Sequence, residues 1–127
     1  MEGVYTDQAP AAVGPYNQGM RIGNWLYLSA QIALVPATER LAGTMVGEQT
    51  HQVMKNIGAI LRAAGADYGR LIKTTLYLVN MSDFSEVNAI YSLYVQQPYP
   101  ARATLGVSSL PKGSLVALEG IAWLGKE

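Results

Sequence analysis

The sequence predicts an α+β fold with the element order β-β-α-β-α-β-β. Runs rich in β-branched and aromatic residues alternate with two amphipathic segments of helical period. Glycines and prolines separate these segments, and the chain contains no internal repeat and no linker. We therefore expect one domain over residues 1–127, in which two helices cover one face of a sheet.

The N-terminal third predicts two strands and two loops. Residues 17–22 and 25–29 are strand-like runs, and Gly23 with the asparagine after it suits a two-residue hairpin turn. Residues 9–16 contain two prolines and a glycine, so we expect an ordered loop there. Residues 31–43 also contain proline and glycine and are expected to form an irregular loop.

Two helices are predicted from periodicity and end signals. The first covers about residues 45–64, with Thr44 as N-cap and Gly65 as the residue after the C-cap. The second covers about residues 83–97, with Ser82 as its cap, and two prolines follow it. The amphipathic pattern places an apolar stripe of each helix against the sheet.

Strands are predicted at residues 71–79 and twice within residues 99–123, where a turn at Pro111 joins two apolar runs. The last stretch is almost free of charge. Arg102 is the first charged side chain in this stretch, and Glu119 is the only ionisable side chain between residues 115 and 123. We expect the two runs to be partner strands, with Arg102 on one strand and Glu119 on the other.

An isolated charge within a buried run is costly unless it pairs or holds a ligand. Strand alternation places Arg102 and Thr104 on a small, polar face, which suits an anionic small molecule. A structural ion pair between Arg102 and Glu119 explains the same pattern equally well. The residue pattern alone leaves both interpretations open.

The composition predicts self-association. Half of the residues are hydrophobic and 14% are charged, against roughly 25% charged in average proteins. The predicted strands are apolar on both faces, and two helices cover only one face. A second copy of this chain is the expected cover for the other face.

Several function classes are excluded by what the sequence lacks. The net charge is zero, which gives no electrostatic attraction to nucleic acid or to acidic membranes. Cysteine is absent, and no metal-ligand spacing or phosphate-binding glycine motif occurs. The only histidine, His51, falls on the predicted wet face of the first helix, so we expect no catalytic triad. Without a membrane span or signal peptide, the expected location is the cytoplasm.

Several segments give the chain a resemblance to a known family. They are APAAVGPYNQG, LYLSAQI, KNIGAIL, KTTLYLVNMSDFSEVNAIY, YPARATLGVSSLPKGS and LEGIA, and they extend from Ala9 to Ala122. On these motifs the chain resembles the YjgF/Rid family, also called the endoribonuclease L-PSP family, close to its RidA branch. The P-A-R segment, the L-P-K-G turn and the strand glutamate are the most specific part of the match.

The resemblance implies a chorismate-mutase-like α+β fold and a homotrimer. Three sheets would form a central barrel-like core with the helices outside, and a cleft would lie at each subunit interface. The implied activity is the hydrolysis of reactive 2-enamine and 2-imino acids, such as 2-aminoacrylate, to 2-oxo acids and ammonia. The resemblance implies no cofactor and no metal.

The resemblance also implies roles for named residues. Arg102 would bind the substrate carboxylate through its planar guanidinium. Glu119 would orient or activate the attacking water, or transfer a proton to the departing amine. Tyr16 would form a wall of the pocket, and the Ser29 hydroxyl would make a hydrogen bond. Asn88 would support the site, and backbone groups near Ala30 and Thr104 would complete it.

Two positions depart from the family pattern. Many relatives have glycine where this chain has Ala30, and the added methyl group would narrow a cleft in which the backbone approaches the ligand. RidA-type relatives often have cysteine where this chain has Thr104. A backbone contact would survive that exchange, whereas cysteine redox chemistry would not.

The family also suggests functions of other classes. Members are described as single-strand endoribonucleases or translation inhibitors, and as chaperone-like proteins. Zero net charge and the absence of a basic stripe argue against RNA binding in this chain. A non-catalytic relative that binds a small carboxylate would use the same arginine, so the sequence does not separate binding from catalysis.

Overall fold

The computed structural model describes residues 1–126. Its two α-helices are α1, Val46–Ala63, and α2, Phe84–Tyr91, and short 3-10 turns lie at Tyr68–Arg70, Met81–Asp83 and Pro111–Gly113. The strands are β1, Glu2–Val4; β2, Gly19–Ile22; β3, Trp25–Ile32; β4, Leu34–Val35; β5, Arg40–Leu41; β6, Leu71–Leu78; β7, Ala101–Gly106; and β8, Val116–Trp123.

Six strands form a mixed sheet in the order β1-β2-β3-β8-β6-β7, and β4 pairs with β5 in a separate hairpin. Strands β6 and β7 are parallel, whereas the other pairs in the large sheet are antiparallel. The parallel pair exists because α2 provides the crossover connection between its strands. The predicted α+β class with two helices is therefore confirmed.

The expected pairing of the last two strands is wrong. Strand β6 lies between β7 and β8, so β7 and β8 are neighbours in sequence but not in the sheet. The expected loop over residues 31–43 is also partly wrong, because β3 continues to Ile32 and the β4–β5 hairpin follows. A two-residue strand leaves too short a pattern to be recognised from alternation.

Helix α1 begins one residue later than its predicted cap requires. Met45 is the N-cap, not Thr44, and its backbone N–H donates to Glu48 Oε1 at 3.0 Å. The helix ends as predicted, because Gly65 follows the C-cap with a positive φ of 79° that other residues rarely adopt. The carboxylate of the third helical residue thus replaces the expected threonine cap.

Helix α2 is much shorter than predicted. It ends at Tyr91, and Ser82 lies in the preceding 3-10 turn instead of at the N-cap. The Ser92 hydroxyl donates to the Ala89 carbonyl at 2.7 Å, a local bond of the kind that competes with helix continuation.

Among residues 1–126, no helix is long and apolar enough to cross a membrane.

Both helices pack on one face of the sheet. Buried aliphatic residues of α1 and α2 meet those of β3, β6 and β8 in one core, which includes Leu26, Leu28, Val53, Ile57, Ile60, Leu76, Val87 and Leu118. The opposite face is open in the single chain. It exposes Ile22 (51%), Trp25 (43%), Tyr27 (48%) and Leu105 (48%), which agrees with the two-faced apolar pattern of the sequence.

Candidate functional site

Two cavities contain most of the predicted site residues. The larger has a volume of about 580 Å³ and is lined by Tyr16, Ala30 and Glu119, among others. The smaller has a volume of about 400 Å³ and is lined by Asn88 and Arg102, among others. The predicted residues that line neither cavity are Ser29 and Thr104. Within one chain, the implied site is therefore divided in two.

Arg102 lies on the edge strand β7, and α2 fixes its guanidinium. Its Nη1 donates to Asn88 Oδ1 at 2.7 Å. Its Cζ lies 5.4 Å from the ring centroid of Phe84 and 5.0 Å from that of Tyr91, within cation–π range. Asn88, the supporting amide that the resemblance implies, is thus the hydrogen-bond partner of Arg102. The guanidinium is thus oriented while the residue remains exposed.

Glu119 lies on β8, and its carboxylate is hydrogen-bonded by a tyrosine of the neighbouring strand. The phenol of Tyr77 on β6 donates to Glu119 Oε1. This hydrogen bond raises the pKa of Tyr77 above its ordinary value of 10.0, and burial and the negative charge of Glu119 raise it further. Tyr77 therefore stays protonated, and remains a donor, throughout the neutral pH range.

Arg102 and Glu119 point to opposite faces of the sheet. In the sheet register Arg102 is aligned with Thr74, and Glu119 with Thr75. The Thr74 hydroxyl lies 2.8 Å from the hydroxyl of Tyr91 on α2, so Thr74 faces the helices. Successive residues of a strand face opposite sides, so Thr75 and Glu119 face away from the helices. A structural ion pair between Arg102 and Glu119 within the chain is excluded.

The loop that carries Tyr16 is held by a buried amide group and a half-buried hydroxyl residue. Gln18 is 2% exposed, and its Nε2 donates to the carbonyls of Thr6 at 2.9 Å and Pro10 at 2.8 Å. The Ser29 hydroxyl donates to the Asn17 carbonyl at 2.5 Å. In this structure the Ser29 side chain therefore supports the loop, and Tyr16 lies at the wall of the larger cavity.

Ala30 lies at an irregularity of β3. The pairing of β3 with β8 shifts between Leu28 and Gln31, and such a bulge leaves backbone groups outside the regular ladder. The exposed Ala30 lines the larger cavity beside Glu119. The backbone near Ala30 is thus open to this cavity. Thr104 is half-buried on β7, on the same face as Arg102.

Two loops with unusual backbone conformations complete the larger cavity. Within residues 1–126, Glu39 (φ 57°) and Lys112 (φ 62°) are the non-glycine residues with positive φ, and both line this cavity. Such conformations cost about 1–3 kcal/mol each and are concentrated at ligand sites. The Lys112 turn is the L-P-K-G segment, which the sequence pattern predicts only as a turn and a family marker.

His51 takes no part in either cavity. It is half-buried, not on a fully wet face as predicted, and its Nδ1 lies 2.7 Å from the Tyr94 hydroxyl. The rings of these two residues also make an edge contact, with centroids 5.7 Å apart. In the described part of the chain, no three His, Asp or Glu side chains are arranged to hold a metal ion.

Sequence reasoning missed Tyr77 as a site residue. Its phenol contacts Glu119 and lines the larger cavity, yet in the sequence it is one aromatic residue within a strand-like run. Alternation puts Tyr77 on the same face as Thr75. That signal became useful only once the position of β8 beside β6 was known, because the register aligns Thr75 with Glu119.

Comparisons with known proteins find a family model and relatives that each match almost the whole chain. Residues 6–124 match the model of a family described as endoribonuclease L-PSP. The mouse 2-iminobutanoate/2-iminopropanoate deaminase is 44% identical over 96% of this chain and 90% of its own length. The chloroplastic Reactive Intermediate Deaminase A of Arabidopsis thaliana is 45% identical over 97% of this chain, which spans 66% of that protein.

A solved structure agrees with the fold. The crystal structure of E. coli TdcF with bound serine superposes with a TM-score of 0.93 and 32% sequence identity. The superposition covers 98% of this chain and all of that chain. The match therefore extends through both cavities.

Proposed function

Because the chain belongs to the endoribonuclease L-PSP family, which is the YjgF/Rid family of the sequence resemblance, we propose that it is an enamine/imine deaminase. It hydrolyses 2-imino acids, such as those formed from 2-aminoacrylate, to 2-oxo acids and ammonia. The deaminase names of relatives at 44% and 45% identity support this activity. The family prediction made from the sequence motifs is confirmed.

The observation that carries the proposal is the pair of half-sites. One half-site presents a guanidinium that is oriented by Asn88 and stacked between two aromatic rings. The other presents a carboxylate that is hydrogen-bonded by Tyr77 in a cavity with apolar walls. An anionic imino acid and a water molecule need these two groups.

The complete site forms between two copies of the chain. Arg102 and Glu119 face opposite sides of one sheet, so neither half-site can be completed within the chain. The open sheet face exposes apolar side chains that a second copy would cover. A homotrimer, with a cleft at each of its interfaces, brings Arg102 of one subunit to Glu119 of the next.

In this cleft Arg102 binds the substrate carboxylate, and its fork matches the two oxygens. A water molecule attacks C2 of the C=N bond, a C–O bond forms, and the π electrons move to nitrogen. Glu119 accepts a proton from the water and passes it to this nitrogen, which gives an amine beside a hydroxyl group. Glu119 then moves the hydroxyl proton to the amine, the C=O bond forms as the C–N bond breaks, and ammonia leaves the 2-oxo acid.

The remaining residues would position the substrate. Tyr16 forms a wall, the backbone at Ala30 and Thr104 contributes hydrogen-bonding groups, and Ser29 supports the Tyr16 loop. Water is the only co-reactant that this hydrolysis requires, so the proposal includes no cofactor and no metal. We also propose a cytoplasmic location, although one relative is described as chloroplastic.

The proposal is tested by coupling a dehydratase that releases 2-aminoacrylate to the detection of pyruvate. The protein should accelerate pyruvate formation over the spontaneous hydrolysis. Arg102→Lys keeps the charge but loses the fork, and its kcat/KM should fall roughly 30- to 1000-fold. Arg21→Lys, a change on β2 away from both half-sites, is the matched control.

Two other results would contradict the proposal in different ways. Near wild-type turnover by a folded Arg102→Lys variant would exclude bidentate binding of the carboxylate. Binding of serine or of a 2-oxo acid without any turnover would assign the chain to the non-catalytic alternative. That alternative is of interest because TdcF was crystallised with bound serine.

A further inference from the structure

We propose that Tyr77 is a positioning residue that holds the Glu119 carboxylate for catalysis. This inference rests on the proposed function, because it assigns a purpose to a side chain whose phenol contacts the proposed base Glu119. It concerns how the base is oriented, which the family resemblance leaves open for this chain. The phenol–carboxylate contact and the shared cavity carry the argument.

The sheet register explains how the two side chains meet. Tyr77 is aligned with Ala117, and Glu119 with Thr75, so Tyr77 and Glu119 are diagonal neighbours on one face. Diagonal neighbours lie about 7–8 Å apart at the backbone, which an aromatic side chain can span. Because the aligned Ala117 has a small side chain, the phenol of Tyr77 extends past it to Glu119 on the neighbouring β8.

The contact leaves one carboxylate oxygen for chemistry. The phenol engages Oε1, and the structure shows no other hydrogen bond to this carboxylate among residues 1–126. Oε2 is therefore the atom that remains for the attacking water. A carboxylate on a flexible two-carbon stem samples several orientations, and one fixed oxygen defines where the other one points.

Other charged groups lie near enough to be considered. Lys112 and Glu39 line the same cavity, and Lys73 lies on the same face of β6. Lys73 Nζ donates to Thr75 Oγ1 at 2.6 Å, and Glu39 Oε1 accepts from the Ala11 N–H at 3.3 Å. Lys73 and Glu39 are each hydrogen-bonded to a group other than Glu119, whereas the phenol of Tyr77 is hydrogen-bonded to Glu119.

The test compares Tyr77→Phe with wild type in the imine hydrolysis assay. A charge-assisted hydrogen bond is lost while the ring stays in place, so kcat should fall about tenfold. The KM should stay within about twofold, because the substrate carboxylate is held elsewhere by Arg102. Tyr5→Phe, at an exposed position on the N-terminal segment, is the control.

A second measurement does not depend on activity. Tyrosine labelled with ¹³C at Cζ reports phenol ionisation by NMR, and Tyr77→Phe identifies the Tyr77 signal. In wild type the pKa of Tyr77 should lie above 10.0 because of its hydrogen bond to Glu119. In Glu119→Gln it should fall toward that ordinary value.

The outcomes separate the two claims. If wild type does not hydrolyse imines, the proposed function fails, whatever Tyr77 does. If wild type is active and Tyr77→Phe keeps the wild-type kcat, the positioning role is overturned. If Tyr77→Phe does not fold, the Tyr77 signal is assigned from its nuclear Overhauser contacts and the titration decides, because a Tyr77 pKa that is indifferent to Glu119→Gln also overturns the role.

Discussion

Arg102 and Glu119 lie on opposite faces of the same sheet, on strands that flank β6. Arg102 is aligned with the helix-facing Thr74, and Glu119 with Thr75, which faces the open side. The two charges, which the sequence pattern predicts on partner strands, therefore line different cavities. This separation makes the proposed site depend on contact between copies of the chain.

Subunit complementation tests this dependence. Arg102→Ala and Glu119→Gln homotrimers should each be inactive. A trimer that contains both variants should have one intact cleft, with Arg102 from one subunit and Glu119 from the next. Random mixing by co-refolding gives about three quarters mixed trimers, and thus about a quarter of wild-type activity.

The control mixes each variant with itself under the same refolding conditions. Light scattering checks that all samples are trimers of equal concentration. Mixtures without recovered activity would contradict a site shared between subunits. A monomer in solution would contradict both the shared site and the proposed cover of the open sheet face.

Sequence patterns identified the side chains better than their arrangement. Isolated charges and family motifs pointed to Arg102 and Glu119, and periodicity found both helices. Pairing partners were not predictable in the same way, because two strands joined by a short turn suggest a hairpin. The parallel partnership of β6 and β7 depends on how α2 packs, which local sequence does not encode.

Smaller errors have local physical causes. The α1 cap is supplied by the Glu48 carboxylate acting on the Met45 N–H, although Thr44 has the typical cap side chain. Helix α2 stops early at a serine whose hydroxyl bonds its own helix carbonyl. In both cases one local hydrogen bond outweighed the general residue preference.

Arg102→Ala should leave the fold nearly as stable as wild type. The side chain is exposed and is not an ion-pair partner of Glu119, so its removal leaves no buried, unpaired charge. Lost cation–π contacts and one hydrogen bond should lower the free energy of unfolding by about 1 kcal/mol. Urea unfolding at fixed protein concentration measures this change. A loss of several kcal/mol would instead show that Arg102 has a structural role.

RNA cleavage should be absent from highly purified protein. The chain has zero net charge, and its single histidine bonds Tyr94 away from both cavities. A labelled single-stranded RNA should therefore survive incubation with wild type and with Arg102→Ala equally well. If wild type cleaves the RNA and Arg102→Ala abolishes this cleavage, RNA cleavage replaces imine deamination as the better-supported function.

The stability of the fold should decrease above pH 10. Burial raises the pKa of Tyr94 above 10.0. Burial also raises the pKa of Tyr68, although the nearby Arg62 charge opposes this effect. Both groups thus keep their protons in the folded chain after the unfolded chain has begun to lose them. Between 10.0 and the folded pKa values the unfolded state binds fewer protons, so the free energy of unfolding falls as pH rises.

Tyr94→Phe separates the hydrogen bond from the titration. At pH 8 it should lower the free energy of unfolding by about 1 kcal/mol, because the 2.7 Å contact with His51 Nδ1 is lost. Above pH 10 the same variant should lose less stability than wild type, since one raised group no longer titrates. Urea unfolding at several pH values and one protein concentration measures both effects. Parallel losses in the two proteins above pH 10 would contradict the contribution of Tyr94, because the folded state would then hold that proton no more tightly than the unfolded chain.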